Sequence, residues 1–187
     1  HGACEGGEIY RGCRSDVVLS PEGWQQMHTS IASESPPWSL IISSPLKRCA
    51  QFAQQCSQQW GVECIVDDAF REIDFGDWDG QSYEALWQQS SSPTIGDFWQ
   101  NPWQVTPPNG ESMNAFYRRV EAWWQQLLAT ITTQNADAHL VITHAGVIKQ
   151  ILAFVCQLPR ESLISQNVFS IPYAGLICVD VFIDEQG

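Results

Sequence analysis

Short apolar runs alternate with amphipathic segments along this chain of 187 residues. That alternation predicts a three-layer α/β/α fold, a mostly parallel sheet with helices on both faces. The runs are Leu40-Ile41-Ile42, Val62 to Val66 and His139 to Thr143, and the segments around them place apolar residues three and four apart. The length fits one domain over residues 1–187. A chain of this size buries about 70% of its unfolded surface, so it needs no disulfides to stand.

Taken in order, Ser20 to about Ser33 reads as a helix: Ser20 caps it, Pro21 takes the first position, and Trp24, Met27 and Ile31 share a face. The strand at Leu40 to Ile42 leads to Pro45, which opens a helix to about Trp60, with Gly61 as its stop. Val62 to Val66 is the next strand. Residues 70–110 hold four prolines, several glycines and Trp78, Trp87, Trp99 and Trp103. They read as loops and short helices, with a small lid or cap over about 77–110. Ser112 starts the clearest helix, in which Met113, Phe116, Val120, Leu127 and Ile131 form a buried stripe. His139 to Thr143 is a strand, residues 145–156 a helix, and Leu176 to Ile183 a closing strand.

Acids outnumber bases 21 to 9, for a net charge of -12. That field disfavours nucleic acid and anionic membrane as partners. An anion site must then be built locally, which makes each Arg informative. The seven cysteines include no C-x-x-C pair. They read as reduced thiols of a cytoplasmic protein, several of them buried. No run is long and apolar enough to predict a membrane span.

Ligands of parallel sheets bind at the carboxyl ends of strands. That rule selects Ser43 to Arg48, Glu72 with Asp74, and His144. His144 follows a strand and precedes Ala145-Gly146 at a helix start, where backbone N–H groups attract an anion. The alternative reading is a histidine that merely caps a helix. Arg48 lies one turn into a helix beside the sheet edge, and a guanidinium grips phosphate bidentately at any working pH. His1-Gly2 adds an imidazole and a residue that lets backbone approach a ligand.

These pieces occur in one order: His1-Gly2, Tyr10-Arg11-Gly12 with Asp16, Leu19-Ser20-x-x-Gly23, SSPLKRC from Ser43, REIDFGDWDG from Arg71, NGES from Asn109, and THAGV from Thr143. The set resembles the histidine phosphatase, or phosphoglycerate mutase-like, superfamily. The resemblance implies a phosphomonoester hydrolase working through a phosphohistidine. It implies His1 as nucleophile, Arg48 and His144 as the phosphate clamp, and Glu72 as the acid that protonates the leaving alkoxide, with Asp74 and Asp77 as rivals. Gly2, Tyr10, Arg11, Gly12, Glu111 and Ala145 are the implied substrate contacts. No cofactor and no metal are implied, and a small phosphorylated metabolite is the expected partner of a monomer or homodimer.

Three departures stand out. The family has an apolar strand ending in Arg-His-Gly, so a strand and an Arg are expected upstream of His1. Cys4 stands where the family has Thr. Gly7 stands where it has an Asn that donates toward phosphate, a bond worth about 1.5–3 kcal/mol to a charged acceptor. A thiol nucleophile at Cys4 would need a low-pKa setting that the sequence does not show. The NGES block with Ala115-Phe116 and Arg119-Val120-Glu121 looks most like the α-ribazole phosphatases of cobalamin biosynthesis. The alternatives are a phosphatase of a sugar phosphate or phosphoglycerate, and a non-catalytic phosphate-binding relative.

Overall fold

A computed structural model describes residues 1–32, 38–131, 138–159 and 169–181. The first helix, α1, is Pro21–Ile31, and the Ser20 side chain accepts the Gly23 amide as its cap. Strand β1 is Trp38–Ser43 and β2 is Glu63–Val66, joined by helix α2, Lys47–Trp60. Helix α2 starts two residues later than Pro45 suggests. The Ser44 hydroxyl accepts the Leu46 amide at 3.3 Å, a local turn that competes with the first helical hydrogen bond. Gly61 ends α2 in the left-handed region at φ 67°, where glycine carries no Cβ penalty.

Two 3-10 turns, Asp68–Phe70 and Gly76–Trp78, lead to short helices α3, Tyr83–Gln88, and α4, Ile95–Gln100. Helix α5 is Met113–Ile131, strand β3 is Ala138–Ile142 and helix α6 is Ala145–Val155. The sheet order is β2-β1-β3 and both pairings are parallel, with Ile42 opposite Ile65 on one side and Val141 on the other.

Alternation along the strands separates two apolar cores. Ile41, Leu140 and Ile142 pack with Leu19, Met27, Cys49 and Phe52 on the α1 and α2 side. Ile42 and Val141 pack with Phe116, Val120 and Val147 on the α5 and α6 side. Helices therefore cover both faces, as successive strand side chains demand. Trp78, Leu86, Ile95 and Phe98 are each no more than 2% exposed and belong to the second of these cores. At about 1.5–3 kcal/mol per buried large side chain, the segment predicted as a lid is bound into the body of the domain.

The closing strand is the element the structure does not form. Residues 176–181 are irregular, and residues 182 and 183 lie outside the described ones. The His1 backbone nitrogen donates to Thr143 O at 3.0 Å, and Ala174 N donates to His1 O at 2.9 Å. Residue 1 thus stands between the end of β3 and the 174–181 segment. No strand of the described chain lies beside that segment to complete a ladder. Leu176 and Ile177 are correspondingly exposed.

Candidate active site

His1 lies at the carboxyl end of β3, where the parallel sheet delivers its ligands. Its Nδ1 sits 2.8 Å from Gly2 O. A carbonyl only accepts, so Nδ1 carries the proton of the neutral ring and the lone pair belongs to Nε2. The His1 ring meets that of His144 edge-on, with centroids 5.1 Å apart and planes at 67°. Gly2 is required by contact: a Cβ there would stand 2.3 Å from Gly23 O. The His-Gly and Leu-Ser-x-x-Gly blocks meet backbone to backbone at this point.

Arg48 and His144 are fully buried and joined. Arg48 Nε donates to His144 Nδ1 at 3.3 Å, while its terminal nitrogens donate to Ser15 O at 2.8 Å and Gly12 O at 2.9 Å. With Nδ1 accepting, the neutral ring carries its proton on Nε2, which lies 2.7 Å from the Ser44 hydroxyl. Burial and the adjacent Arg48 charge push the His144 pKa well below the usual histidine range. Both ring nitrogens are taken up within the protein. His144 thus orients Arg48 and walls His1, and the nitrogens of both side chains expected to clamp phosphate are engaged with protein partners. Ser44 completes this chain of contacts; it lies in the Ser43 to Arg48 stretch that the strand-end rule selects, although the sequence assigned it no role.

Glu72 follows the first 3-10 turn and reaches across to α6. Its Oε2 accepts the Gly146 amide at 3.1 Å and its Oε1 accepts the Ile73 amide at 3.0 Å. A Cβ at Gly146 would fall 2.1 Å from Glu72 Oε1, so glycine is what admits the carboxyl to the helix start. Burial pushes the Glu72 pKa upward, against the pull of these two amides and of the Arg48 and Arg119 charges. A carboxyl so placed holds its proton at higher pH than an exposed one.

Glu72 also borders a cleft of about 260 Å³, whose walls include Asp74, Gly110, Glu111 and Arg119. Arg119 forks onto Glu111 at 3.2 and 2.8 Å, and its NH1 donates to Ala69 O at 2.8 Å and Arg71 O at 3.0 Å. Glu111 is therefore a wall of the cleft neutralised by Arg119. The sequence assigned Arg119 no role, although it stands in a quoted block. Arg14 bridges Asp74 and the Asn109 carbonyl in the same way.

Other expected contacts fall elsewhere. Tyr10 is buried against Phe75, Tyr83 and Trp99, and its hydroxyl has no hydrogen-bond partner among the described residues. It packs in the aromatic core beneath α3 and α4. Arg11 donates to Glu5 O and Gly7 O and so closes the loop after the His-Gly pair. Gly12 serves through its carbonyl on Arg48, and Ala145 is the first residue of α6. Cys4 Sγ lies 3.7 Å from His1 Nδ1. Burial pushes its thiol up, more than Arg48 and Arg11 lower it, so the setting of a thiolate nucleophile is absent. Cys49, 3.7 Å from His144 Nε2, is pushed up to about 12 by burial.

The parallel sheet thus gathers two histidines and a buried arginine at the carboxyl end of β3, with a buried carboxyl at the start of α6. The chain belongs to the histidine phosphatase superfamily, branch 1, whose family model matches residues 1–183. Among its relatives, a bifunctional protein of Mycobacterium tuberculosis is 28% identical over 141 residues, covering 74% of this chain and 37% of its own length. The adenosylcobalamin/alpha-ribazole phosphatase of Escherichia coli is 29% identical over 140 residues, covering 74% of this chain and 66% of its own. The chain thus spans about a third to two thirds of the length of these relatives. The crystal structure of the alpha-ribazole phosphatase from Shigella flexneri superposes with a TM-score of 0.74 at 25% identity, covering 93% of this chain and 84% of that one. Among the described residues no helix is long and apolar enough to cross a membrane.

Proposed function

We propose that this protein hydrolyses a phosphomonoester through a phosphohistidine on Nε2 of His1. The observation that carries the reading is the 2.8 Å contact from His1 Nδ1 to Gly2 O, which leaves the Nε2 lone pair available for attack on phosphorus. Arg48, held in place by His144, Ser15 and Gly12, neutralises charge developing on the phosphoryl oxygens. Glu72 protonates the leaving alkoxide and then takes the proton of the hydrolytic water, a role worth about 10²–10⁴-fold.

The substrate we favour is α-ribazole 5′-phosphate. The resemblance of the NGES block and the identities to alpha-ribazole phosphatases support it. The cleft of about 260 Å³ beside Glu72 is lined by neither His1 nor Arg48 and lies below the roughly 300 Å³ at which sites for drug-sized ligands begin, so its volume favours a smaller leaving group than α-ribazole. A phosphatase of another small metabolite is the second reading, because the Glu111 and Asp74 walls suit any hydroxyl-rich leaving group. The test is to trap the enzyme with labelled substrate. An acid-labile, alkali-stable phosphoryl group is expected on wild type and absent in His1→Ala. A folded wild type that neither turns over p-nitrophenyl phosphate nor traps label defeats the reading. Relative kcat/KM for α-ribazole 5′-phosphate, glucose phosphates and 3-phosphoglycerate then decides the substrate.

A further inference from the structure

We infer that Cys4, His1 and the Gly2 carbonyl form an inhibitory site for a thiophilic metal ion such as Zn²⁺, one that silences the nucleophile. The inference rests on the proposed role of His1. Three donor atoms meet here: Cys4 Sγ is 3.7 Å from His1 Nδ1 and 3.5 Å from Gly2 O, and Nδ1 is 2.8 Å from Gly2 O. The circle through these three atoms has a radius of about 2.0 Å. Zinc bonds to nitrogen and oxygen are about 2.0–2.2 Å and to thiolate about 2.3 Å. An ion slightly out of the triangle's plane reaches all three donors, and water fills the remaining positions. A tetrahedral centre with these bond lengths sets sulfur and nitrogen about 3.6 Å apart, against the 3.7 Å found, and nitrogen and oxygen about 3.4 Å apart, so the 2.8 Å contact between the His1 ring and the Gly2 carbonyl must open as the metal enters.

Charge decides which ions are held. Arg48 and Arg11 lie close enough to Cys4 to act on its ionisation, and both repel a cation. Mg²⁺ or Ca²⁺ gains nothing from sulfur and prefers oxygen ligands, so the site rejects them. Zn²⁺ and Cd²⁺ gain a thiolate bond. With two side chains and one carbonyl the site has fewer protein ligands than a structural zinc centre, so the metal exchanges with chelators.

The chemical consequence lies on the ring. As the metal–sulfur bond forms, the Cys4 proton passes to solvent. Coordination at Nδ1 displaces the proton shared with Gly2 O, and the neutral ring then carries its proton on Nε2. Nε2 loses the lone pair needed for attack, with no change of oxidation state anywhere. A threonine at position 4 offers no comparable ligand, so the device belongs to the cysteine of this chain.

The test compares wild type with Cys4→Thr and Cys4→Ala, each rate normalised to its own metal-free value. Zn²⁺ should inhibit wild-type hydrolysis of p-nitrophenyl phosphate, EDTA should restore it, and Mg²⁺ should do nothing. Removing the thiolate should weaken zinc inhibition by more than about 100-fold, since disturbing even the outer-shell partners of a ligand costs about 10–100-fold. Cd²⁺ titrated into wild type should give the ultraviolet thiolate-to-metal absorption, and the Cys4 variants should lose one thiolate's share of it. Equal zinc inhibition in wild type and variants, no inhibition at all, or an unchanged cadmium absorption overturns the site. If every form lacks phosphatase activity, the functional reading fails, and the cadmium absorption still decides the metal site.

Discussion

Arg48 donates its Nε hydrogen to Nδ1 of His144 across 3.3 Å, and that contact fixes the protonation of a ring with no solvent exposure. A donor pointing at Nδ1 excludes the imidazolium. The folded pKa of His144 is consequently depressed, by burial first and by Arg48 second. The sign follows from linkage. Above the ordinary histidine pKa of about 6.5 both folded and unfolded forms are neutral, and the full stability is present. As pH falls below that value the unfolded chain takes up a proton that the folded one refuses. Stability then falls by about 1.4 kcal/mol per pH unit for this group. Thermal melts from pH 7 to pH 5 should show a steeper loss in wild type than in His144→Gln, which has no proton to gain. Parallel slopes would show that His144 is not the group responsible.

Gly146 and Glu72 make a second pair with a direct test. A methyl group at residue 146 would press into Oε1 of Glu72 at 2.1 Å. The carboxyl must then leave the Gly146 amide. Gly146→Ala should fold, since alanine favours a helix by about 1 kcal/mol over glycine. Its kcat should fall by about 10²-fold, the lower range for losing a positioned acid. Steady-state kinetics with far-ultraviolet circular dichroism on the same sample check both halves.

Glu72→Gln separates activity from stability. The raised pKa means that the folded state holds the Glu72 proton more tightly than the unfolded chain does. Its contribution to stability is complete below the ordinary carboxyl range and is lost as pH rises through the folded value. Glutamine has no charge to bury but accepts only one of the two amides that the carboxyl takes, so the melting temperature of the variant relative to wild type should rise as pH goes from acid to neutral. Its kcat should drop by about 10²–10⁴-fold. The falling alkaline limb of the wild-type kcat profile should vanish with it.

The contrast between α5 and the closing segment shows what sequence can reveal here. The stripe Met113, Phe116, Val120 is a local pattern, and it packs as the pattern requires. The cap at Ser20 and the stop at Gly61 are equally local. Leu176 to Val181 has strand-like composition, but a strand exists only where a neighbour completes its ladder, and composition carries no word of that neighbour. Within the site, ordered blocks picked out His1, Arg48, Glu72 and His144; the last three each follow a strand or turn at the sheet edge, while His1 was legible only through its place in the ordered set. Tyr10 misled, since its burial is decided by Phe75, Tyr83 and Trp99, all distant in sequence. The Arg119–Glu111 fork was hidden for a related reason. Glu111 precedes the helix, so the pair follows no helical spacing rule.

That fork holds the backbone leading into Glu72, because Arg119 NH1 also takes the Ala69 and Arg71 carbonyls. Arg119→Ala leaves a partly buried carboxylate with only the long Asp74 amide contact and takes a donor from two carbonyls, and should cost about 2–3 kcal/mol. For a chain of this size that lowers Tm by about 5–10 °C. Arg119→Lys keeps the charge without the planar fork and should fall between. Both should lower kcat more than they raise KM, because the group displaced is the acid and not a substrate contact. Urea unfolding and kinetics on the three proteins settle the order.

Gly7 offers a gain instead of a loss. Its φ is +70° and an added Cβ meets nothing within 4 Å, so a side chain has room. Among residues with a Cβ, asparagine tolerates that left-handed backbone best. Arg11 ties down the Gly7 and Glu5 carbonyls, so the loop that would carry the new amide is already held. Gly7→Asn should therefore fold with little penalty and place an N–H donor on the loop that follows His1 and Gly2. A hydrogen bond to a charged acceptor is worth about 1.5–3 kcal/mol. Inhibition by vanadate or inorganic phosphate should tighten by about 10–100-fold at that energy. Gly7→Ala, which adds the Cβ strain without the donor, should show no tightening and a lower Tm. If the asparagine variant binds vanadate no better than the alanine one, residue 7 does not face the phosphoryl group, and Arg48 alone supplies the charge that holds it.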